Sequence, residues 1–302
     1  MPHNFDKPFS VDEFNKYWNS LTITDDFIFC RVFQDEALCK EMLEILLDVK
    51  IHHLEYPDAQ KEIRTSRLAK GIRLDVFVQD SNRVFDVEIQ NADRGDIPLR
   101  TRYYHSTMDT SLLKKGKFYT DLKESYVIFL CKFDPLKKGQ PIYKFQMRDE
   151  ENPATILGDK TYTLLYNMSD FAKLKEGERR DFLNYLAHGV KGSSFTSKLE
   201  KRVSEVKNDE DWRADYMTLE MKFQEREREA VATATLAARE EGMQRGMEQG
   251  IAVGREEGIS LGEQRGARQN ALQTACNLKN MGFPLDKIAK ATGLSLEEIK
   301  SL

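Results

Sequence analysis

The sequence predicts an α/β fold: a mixed sheet flanked by helices over residues 1–190, followed by a long helical C-terminal tail. Three observations carry this reading. Arg73–Val78 and Val84–Gln90 alternate in polarity with the period of a strand, and the polar turn Asp80-Ser81-Asn82-Arg83 between them signals a hairpin. Tyr126–Phe133 is nearly continuous in apolar residues, as a central strand buried on both faces should be. Beyond Gly192-Ser193-Ser194 the composition shifts to long runs of Glu, Arg, Lys and Ala, the composition of extended helices.

The elements follow in order. Phe9–Trp18 is a short helix, with Ser10 as N-cap and Glu13 three residues on. Thr24 is placed to cap a second helix, with Asp25 and Asp26 in its first turn, where carboxylates suit the dipole. Gln34–Leu47 is a third, with Leu38, Met42, Leu43, Ile45 and Leu46 as its apolar stripe. Ile51–Tyr56 reads as a strand and precedes the hairpin. Pro98 starts a helix that continues over Leu99–Leu113 and stops at Gly116. Pro141–Met147 and Thr161–Tyr166 are further strands, and Phe171–Leu186 is a helix.

The hairpin register is the informative step. Centring the turn on Ser81-Asn82 pairs Leu74 with Ile89, Val76 with Val87 and Val78 with Phe85, so that one face is wholly apolar. A slip of one residue would destroy that face. The other face then pairs Asp75 with Glu88 and Arg73 with Gln90. Like charges directly opposed on a sheet are destabilising, and two carboxylates held that close share a proton or a cation. Hard divalent cations take such oxygen ligands. The competing reading of Asp86 and Glu88 is the solvated face of a sheet.

The tail has its own regularity. Gly242, Gly246, Gly250, Gly254, Gly258, Gly262 and Gly266 recur every four residues. Glycine in a helix interior costs about 1 kcal/mol relative to alanine, so an unbroken register needs a reason. A period of 4.0 exceeds 3.6, so the stripe winds right-handed and offers a groove for close backbone approach. Glu248, Arg255, Glu256, Glu257, Glu263 and Arg265 make the stretch too charged to span a bilayer. We read residues 191–270 as a helical segment that oligomerises the chain; a flexible charged linker is the competing reading. Residues 271–302 form small helices, Leu272–Met281, Leu285–Ala291 and a last one capped by Ser295 with Glu298. These make a structural cap or protein-docking element rather than a DNA-reading helix-turn-helix, because basic residues after Ser295 are sparse.

Bulk properties bound the function. The 302 residues hold 40% hydrophobic and 32% charged residues, enough for a core and far from a disordered composition. There is no signal peptide and no apolar run of membrane length, so the chain is expected to be cytoplasmic with no membrane partner. Cys30, Cys39, Cys131 and Cys276 are scattered, which fits a reducing compartment and excludes a Cys-x-x-Cys zinc site. His52 and His53 are adjacent on the expected strand and so point to opposite faces. The net charge of −4 conceals segregation: residues 94–148 hold 12 Lys/Arg against 5 Asp/Glu, and residues 61–73 hold five basic residues against one acid. Basic stretches thus flank the candidate acids, as a site for phosphates and metal requires.

Asp75 followed by Glu88-Ile89-Gln90 on the next strand resembles the metal site of PD-(D/E)XK nucleases. Thr24-Asp25-Asp26-Phe27-Ile28-Phe29-Cys30-Arg31-Val32-Phe33 is similar to that superfamily's first helix. With Arg100-Thr101-Arg102-Tyr103-Tyr104-His105-Ser106, Leu113-Lys114-Lys115-Gly116 and Tyr126-Val127-Ile128-Phe129, residues 20–190 resemble the Rpn family of recombination-promoting nucleases or putative transposases. The resemblance implies a Mg²⁺-dependent DNA endonuclease, with Mn²⁺ as an alternative ion. Asp75, Glu88 and the carbonyl of Ile89 hold the metal in that reading, and Asp26 matches the acidic first-helix position, with Asp25 as runner-up. Much of the superfamily has a lysine where this chain has Gln90; the amide can orient water but carries no charge. Arg73, opposite Gln90 in the register above, is a source of positive charge. Arg100, Arg102 and Tyr104 are the remaining DNA-side candidates, and Arg100 and Tyr104 share a helix face, suited to phosphate contact or to bracing the site. The competing functions are a catalytically silent DNA-binding module, kept open by Gln90, and a helical assembly protein whose tail is the working part.

Overall fold

The computed structural model describes residues 10–55, 62–63, 72–73 and 75–302. Three helices come first: α1 (Val11–Ser20), α2 (Asp26–Val32) and α3 (Glu36–Leu47). Ser10 and Glu13 form the expected capping box on α1. The cap of α2 is Asp25 rather than Thr24: its carboxylate accepts from the Phe27 and Ile28 amides. Asp35 caps α3, so that helix starts two residues later than the apolar stripe suggests. The strand expected at Ile51–Tyr56 reduces to a single bridge between Glu55 and Gln79; Tyr56 lies outside the described residues.

Strands β1 (Glu62–Ile63) and β2 (Ile72–Arg73) form a small antiparallel ribbon, and β3 (Val76–Gln79) opens the main hairpin with β4 (Arg83–Gln90). Val76 pairs Val87 and Val78 pairs Phe85, the register that the apolar alternation demands. Arg73 departs from expectation. Its ladder partner is Glu62 in the ribbon, not Gln90, because the main ladder begins only at Val76. Leu74, expected opposite Ile89, lies outside the described residues.

Helix α4 (Ile97–Leu112), with Pro98 in its first turn, crosses over to β5 (Glu124–Cys131), which lies parallel to β4. Then follow β6 (Ile142–Phe145) and β7 (Thr161–Asn167), giving a five-stranded mixed sheet of order β3-β4-β5-β7-β6. A 3₁₀ turn at Met168–Lys173 precedes α5 (Glu178–His188), so the helix expected over Phe171–Leu186 is broken. Gly177 has φ 142°, a conformation outside the helical range.

Both faces of the sheet are covered. On one, Phe85, Val87, Ile89, Ile128, Leu130, Leu164 and Tyr166 pack with side chains of α1, α2, α3 and α5. On the other, Phe77, Val84, Val127, Phe129 and Leu165 pack under Tyr104 and Met108 of α4. Asp86 and Glu88 point to this second face and are fully buried, which overturns their reading as a solvated strand face.

The boundary expected at residue 190 also moves. Ser193 caps α6 (Ser194–Asn208), whose Phe195, Leu199, Val203 and Val206 join the first core. Helix α7 (Glu210–Asn280) begins in the same unit, where Tyr216 packs against Trp18 and Phe27, and the unit ends at Met221. The second unit, Lys222–Leu302, contains the rest of α7 with α8 (Leu285–Thr292) and α9 (Leu296–Ser301). Ala275, Ile288, Leu294 and Ile299 form its small core, and Arg268 pairs with Glu298. Leu272–Met281, expected as a separate small helix, is the continuous end of α7. All seven glycines of the four-residue stripe lie in α7, where an added Cβ would meet nothing within 4 Å. Among the described residues no helix is long and apolar enough to cross a membrane.

Candidate active site

The site lies where the start of β3, the end of β4, the N-terminus of α2 and the first turns of α4 meet. Strand period puts Asp86 and Glu88 on one face of β4 and Val87 and Ile89 on the other. Asp75, half-buried at the bend before β3, lies across from Glu88. Two hydrogen bonds tie them: the Asp75 amide donates to Glu88 Oε1 at 3.2 Å, and the Ile89 amide donates to Asp75 Oδ2 at 3.1 Å. The Cys30 thiol donates to the Asp75 carbonyl at 3.0 Å, and the Asn91 amide donates to the Thr24 carbonyl at 2.6 Å. These two contacts bring the start of α2, with Asp26, to the same place. Asp26 acts electrostatically on both Asp75 and Glu88.

Asp75, Asp86 and Glu88 thus act on one another, and Asp26 acts on two of them. Burial is the first cause that holds Asp75, Asp86 and Glu88 well above the usual carboxylate range; their mutual repulsion adds to it. Glu88 acts on Asp75, Asp75 on Asp86 and Asp86 on Glu88. Opposing them is Arg100, whose guanidinium lowers all three. Arg100 Nη2 donates to Glu88 Oε2 at 2.9 Å and Nη1 donates to Gln90 Oε1 at 2.8 Å. Its Nε and Nη2 both donate to the Tyr104 hydroxyl, at 3.2 and 2.8 Å. The Gln90 amide nitrogen donates to the Ile89 carbonyl at 2.7 Å.

The structure brings together Asp75, Glu88, Gln90, Ile89, Asp26, Arg100 and Tyr104. Arg100 and Tyr104 turn inward to the acids, so of the two roles expected for them their geometry supports bracing rather than phosphate contact. Arg102 is exposed on the opposite side of α4. Arg73 belongs to the ribbon, where its ladder partner is Glu62. Asp25 is the cap of α2, with its carboxylate engaged by two amides and the Tyr216 hydroxyl.

The residue missed from sequence is Asp86. Its one signal was its position two residues before Glu88, on the same strand face. It is completely buried, and neither carboxylate oxygen has a hydrogen-bond partner. A buried ionised carboxylate without a partner is costly, so the cluster is short of positive charge or of protons. Among the described residues no three His, Cys, Asp or Glu side chains converge as a ready-made metal site. What the chain offers is the Asp75–Glu88 pair with the Ile89 carbonyl, in surroundings with too much negative charge. Those donors are all oxygens, and they fit a hard divalent cation.

A mixed sheet with paired acids at the open end of its β3–β4 hairpin, braced by an arginine from the crossover helix, fits a PD-(D/E)XK α/β fold. The sequence model of the PD-(D/E)XK nuclease family transposase matches residues 23–243, and the chain belongs to that family. The matched span reaches past the sheet into α7, in keeping with a first unit that runs beyond residue 190. No curated protein and no solved structure matches the chain. Family membership supports a nuclease or transposase-like function and DNA as substrate.

Proposed function

We propose that this protein is a metal-dependent DNA endonuclease that hydrolyses phosphodiester bonds, with a role in DNA recombination or mobile elements. The observation that carries the reading is the Asp75–Glu88 pair, with Asp86 unpartnered beside it and Asp26 acting on both. Asp75, Glu88 and the Ile89 carbonyl would hold Mg²⁺, or Mn²⁺ in its place. The bound ion would acidify an attacking water and stabilise charge on phosphate oxygens. Asp26 faces the pair from α2 and helps orient water, and Gln90 offers an amide at the edge of the site. Exposed Arg102, with the lysine-rich segment Lys114-Lys115-Gly116-Lys117 after α4, supplies cations to hold the DNA backbone.

The working form is a homo-oligomer joined through α7. Met243, Met247, Ile251 and Ile259 each follow a stripe glycine and are exposed, so an apolar strip adjoins the small-residue groove. A second copy of the chain is the partner that would cover it.

The test is nicking of supercoiled plasmid by the purified full chain with Mg²⁺, with Mn²⁺ and with EDTA. We expect cleavage with either ion, none with EDTA, and none from Asp75→Ala or Glu88→Ala. DNA binding should weaken steeply with salt, log K falling linearly with log salt. Full cleavage by both variants would overturn the assignment. Salt-dependent DNA binding by a wild type that never cuts would favour the silent DNA-binding module, in which Gln90 marks the lost activity.

A further inference from the structure

We infer that Arg100 is the positioning residue of this site: while paired with Glu88, it fixes the Gln90 amide as a hydrogen-bond donor. The inference rests on the nuclease reading above and adds a role to it. Phosphodiester hydrolysis builds negative charge on oxygens that enter an already acidic cluster. Preorganised donors aimed at that charge contribute most of the rate in such sites. In the ionised form that would hold a cation, Asp26, Asp75, Asp86 and Glu88 only accept, so in that form donors come from elsewhere.

The side-chain amide of Gln90, at the edge of the site, is a candidate, but an amide can present either its oxygen or its nitrogen. Arg100 settles which. Its Nη1 donates to Gln90 Oε1 at 2.8 Å, so the opposite flip would set an NH₂ group against the guanidinium. The amide nitrogen is therefore the free-facing end; it spends one hydrogen on the Ile89 carbonyl at 2.7 Å and keeps a second. A guanidinium donates only, so the choice cannot reverse.

Arg100 itself has little freedom. Nη2 is held by Glu88 Oε2 at 2.9 Å and by the Tyr104 hydroxyl at 2.8 Å. Its charged centre lies 5.3 Å from the Tyr104 ring centroid and 5.1 Å from that of Phe129. The fork shape matters: one planar group reaches Gln90, Glu88 and Tyr104 together, which a lysine ammonium on a flexible stem cannot do. Helix period also fits, since Arg100 and Tyr104 are one turn apart on the face of α4 that covers β4 and β5.

Two measurements on the full chain test this. The first needs no metal and no cleavage: melting temperatures of Arg100→Met, Gln90→Met and the double variant. The fork predicts coupling, with the double losing several degrees less than the sum of the singles. Additive losses would overturn the inference whether or not the chain cuts DNA. The second is steady-state cleavage with Mg²⁺. Gln90→Glu keeps an acceptor for the guanidinium but removes the donor. We expect kcat to fall on the order of 10²-fold with KM for DNA little changed. Arg100→Met should lose at least as much kcat, and Arg100→Lys should recover part of it. Wild-type kcat in Gln90→Glu would overturn the inference by leaving Arg100 only a brace. So would a defect of Arg100→Met confined to KM, which would make it a DNA contact. Cleavage retained by Asp75→Ala would instead strike the nuclease reading, leaving the melting coupling to decide the fork alone.

Discussion

Asp75 and Glu88 are clasped across the hairpin, each carboxylate accepting from the other's strand: Glu88 Oε1 from the Asp75 amide and Asp75 Oδ2 from the Ile89 amide. The two acids are thereby held close although burial and their own repulsion drive both toward the neutral form. A bound cation would relieve that strain, which is why we propose the pair as the ion's ligands.

Asp75→Asn should therefore hold or gain stability without metal, within about 1 kcal/mol, since asparagine can still accept from the Ile89 amide. Divalent ions should raise the melting temperature of the wild type and leave that of the variant unmoved. Scanning fluorimetry across a Mn²⁺ series is the measurement; equal shifts for both proteins would remove Asp75 from the ion's ligands.

Asp25 makes a pH prediction. Burial lifts its carboxyl to about 6, against the amide bonds from Ile28 and Phe27 that pull it down. Its ionised form is thus disfavoured in the folded chain: its contribution is intact below about pH 4 and is lost as pH rises through about 6. Asparagine caps α2 equally well and does not titrate. Asp25→Asn should match the wild type at pH 4 and exceed it at pH 7 by on the order of 2 kcal/mol. Urea denaturation at four pH values reads this directly, and parallel stability profiles would count against it.

Truncation tests the domain boundary. A chain that stops at residue 190 loses Phe195, Leu199, Val203 and Val206 from the first core, and the Trp18 indole loses its acceptor, the Lys207 carbonyl, at 3.0 Å. Fully burying each such side chain contributes about 1.5–3 kcal/mol, so the four together rival a whole domain's stability. The 1–190 fragment should fail to melt cooperatively and should bind a hydrophobic dye, whereas 1–221 should fold. A sharp melting transition for 1–190 would return the boundary to the glycine-serine segment.

The glycine register of α7 makes the last prediction. Because a Cβ at Gly250, Gly254 or Gly258 would meet nothing within the chain, alanine there should raise helicity by about 1 kcal/mol per site. Leucine at the same three sites should block close approach of a second helix and shift the chain to a smaller species. Sedimentation velocity compares the masses. A monomeric wild type at micromolar concentration, or one mass for the wild type and the leucine variant, would leave the stripe without this role.

The sequence alone determined whatever depends on local period and pairing. The β3–β4 register followed from apolar alternation, because a slip of one residue would turn Val76, Val78, Phe85 and Val87 to the wrong face. With it came the opposition of Asp75 and Glu88. The Ser10 and Ser295 caps and the position of α4 after Pro98 were legible for the same reason: each is settled by residues a few positions apart.

Tertiary packing decided the rest. Alternation is identical for a polar residue facing water and one facing a helix, so nothing in the strand itself announced that α4 would seal Asp86 and Glu88 from solvent. Strand pairing pointed to Arg73 opposite Gln90, and nothing in it foretold that the crossover helix would deliver Arg100 to that amide, from ten residues further along the chain. The membership of α6 in the first unit was hidden too: its surface residues read as a charged tail, while the apolar face that buries Phe195 and Leu199 has meaning only once α2 and α3 are there to receive it. Contacts distant in sequence are set by how layers close on one another, and that closure is a property of the assembled core.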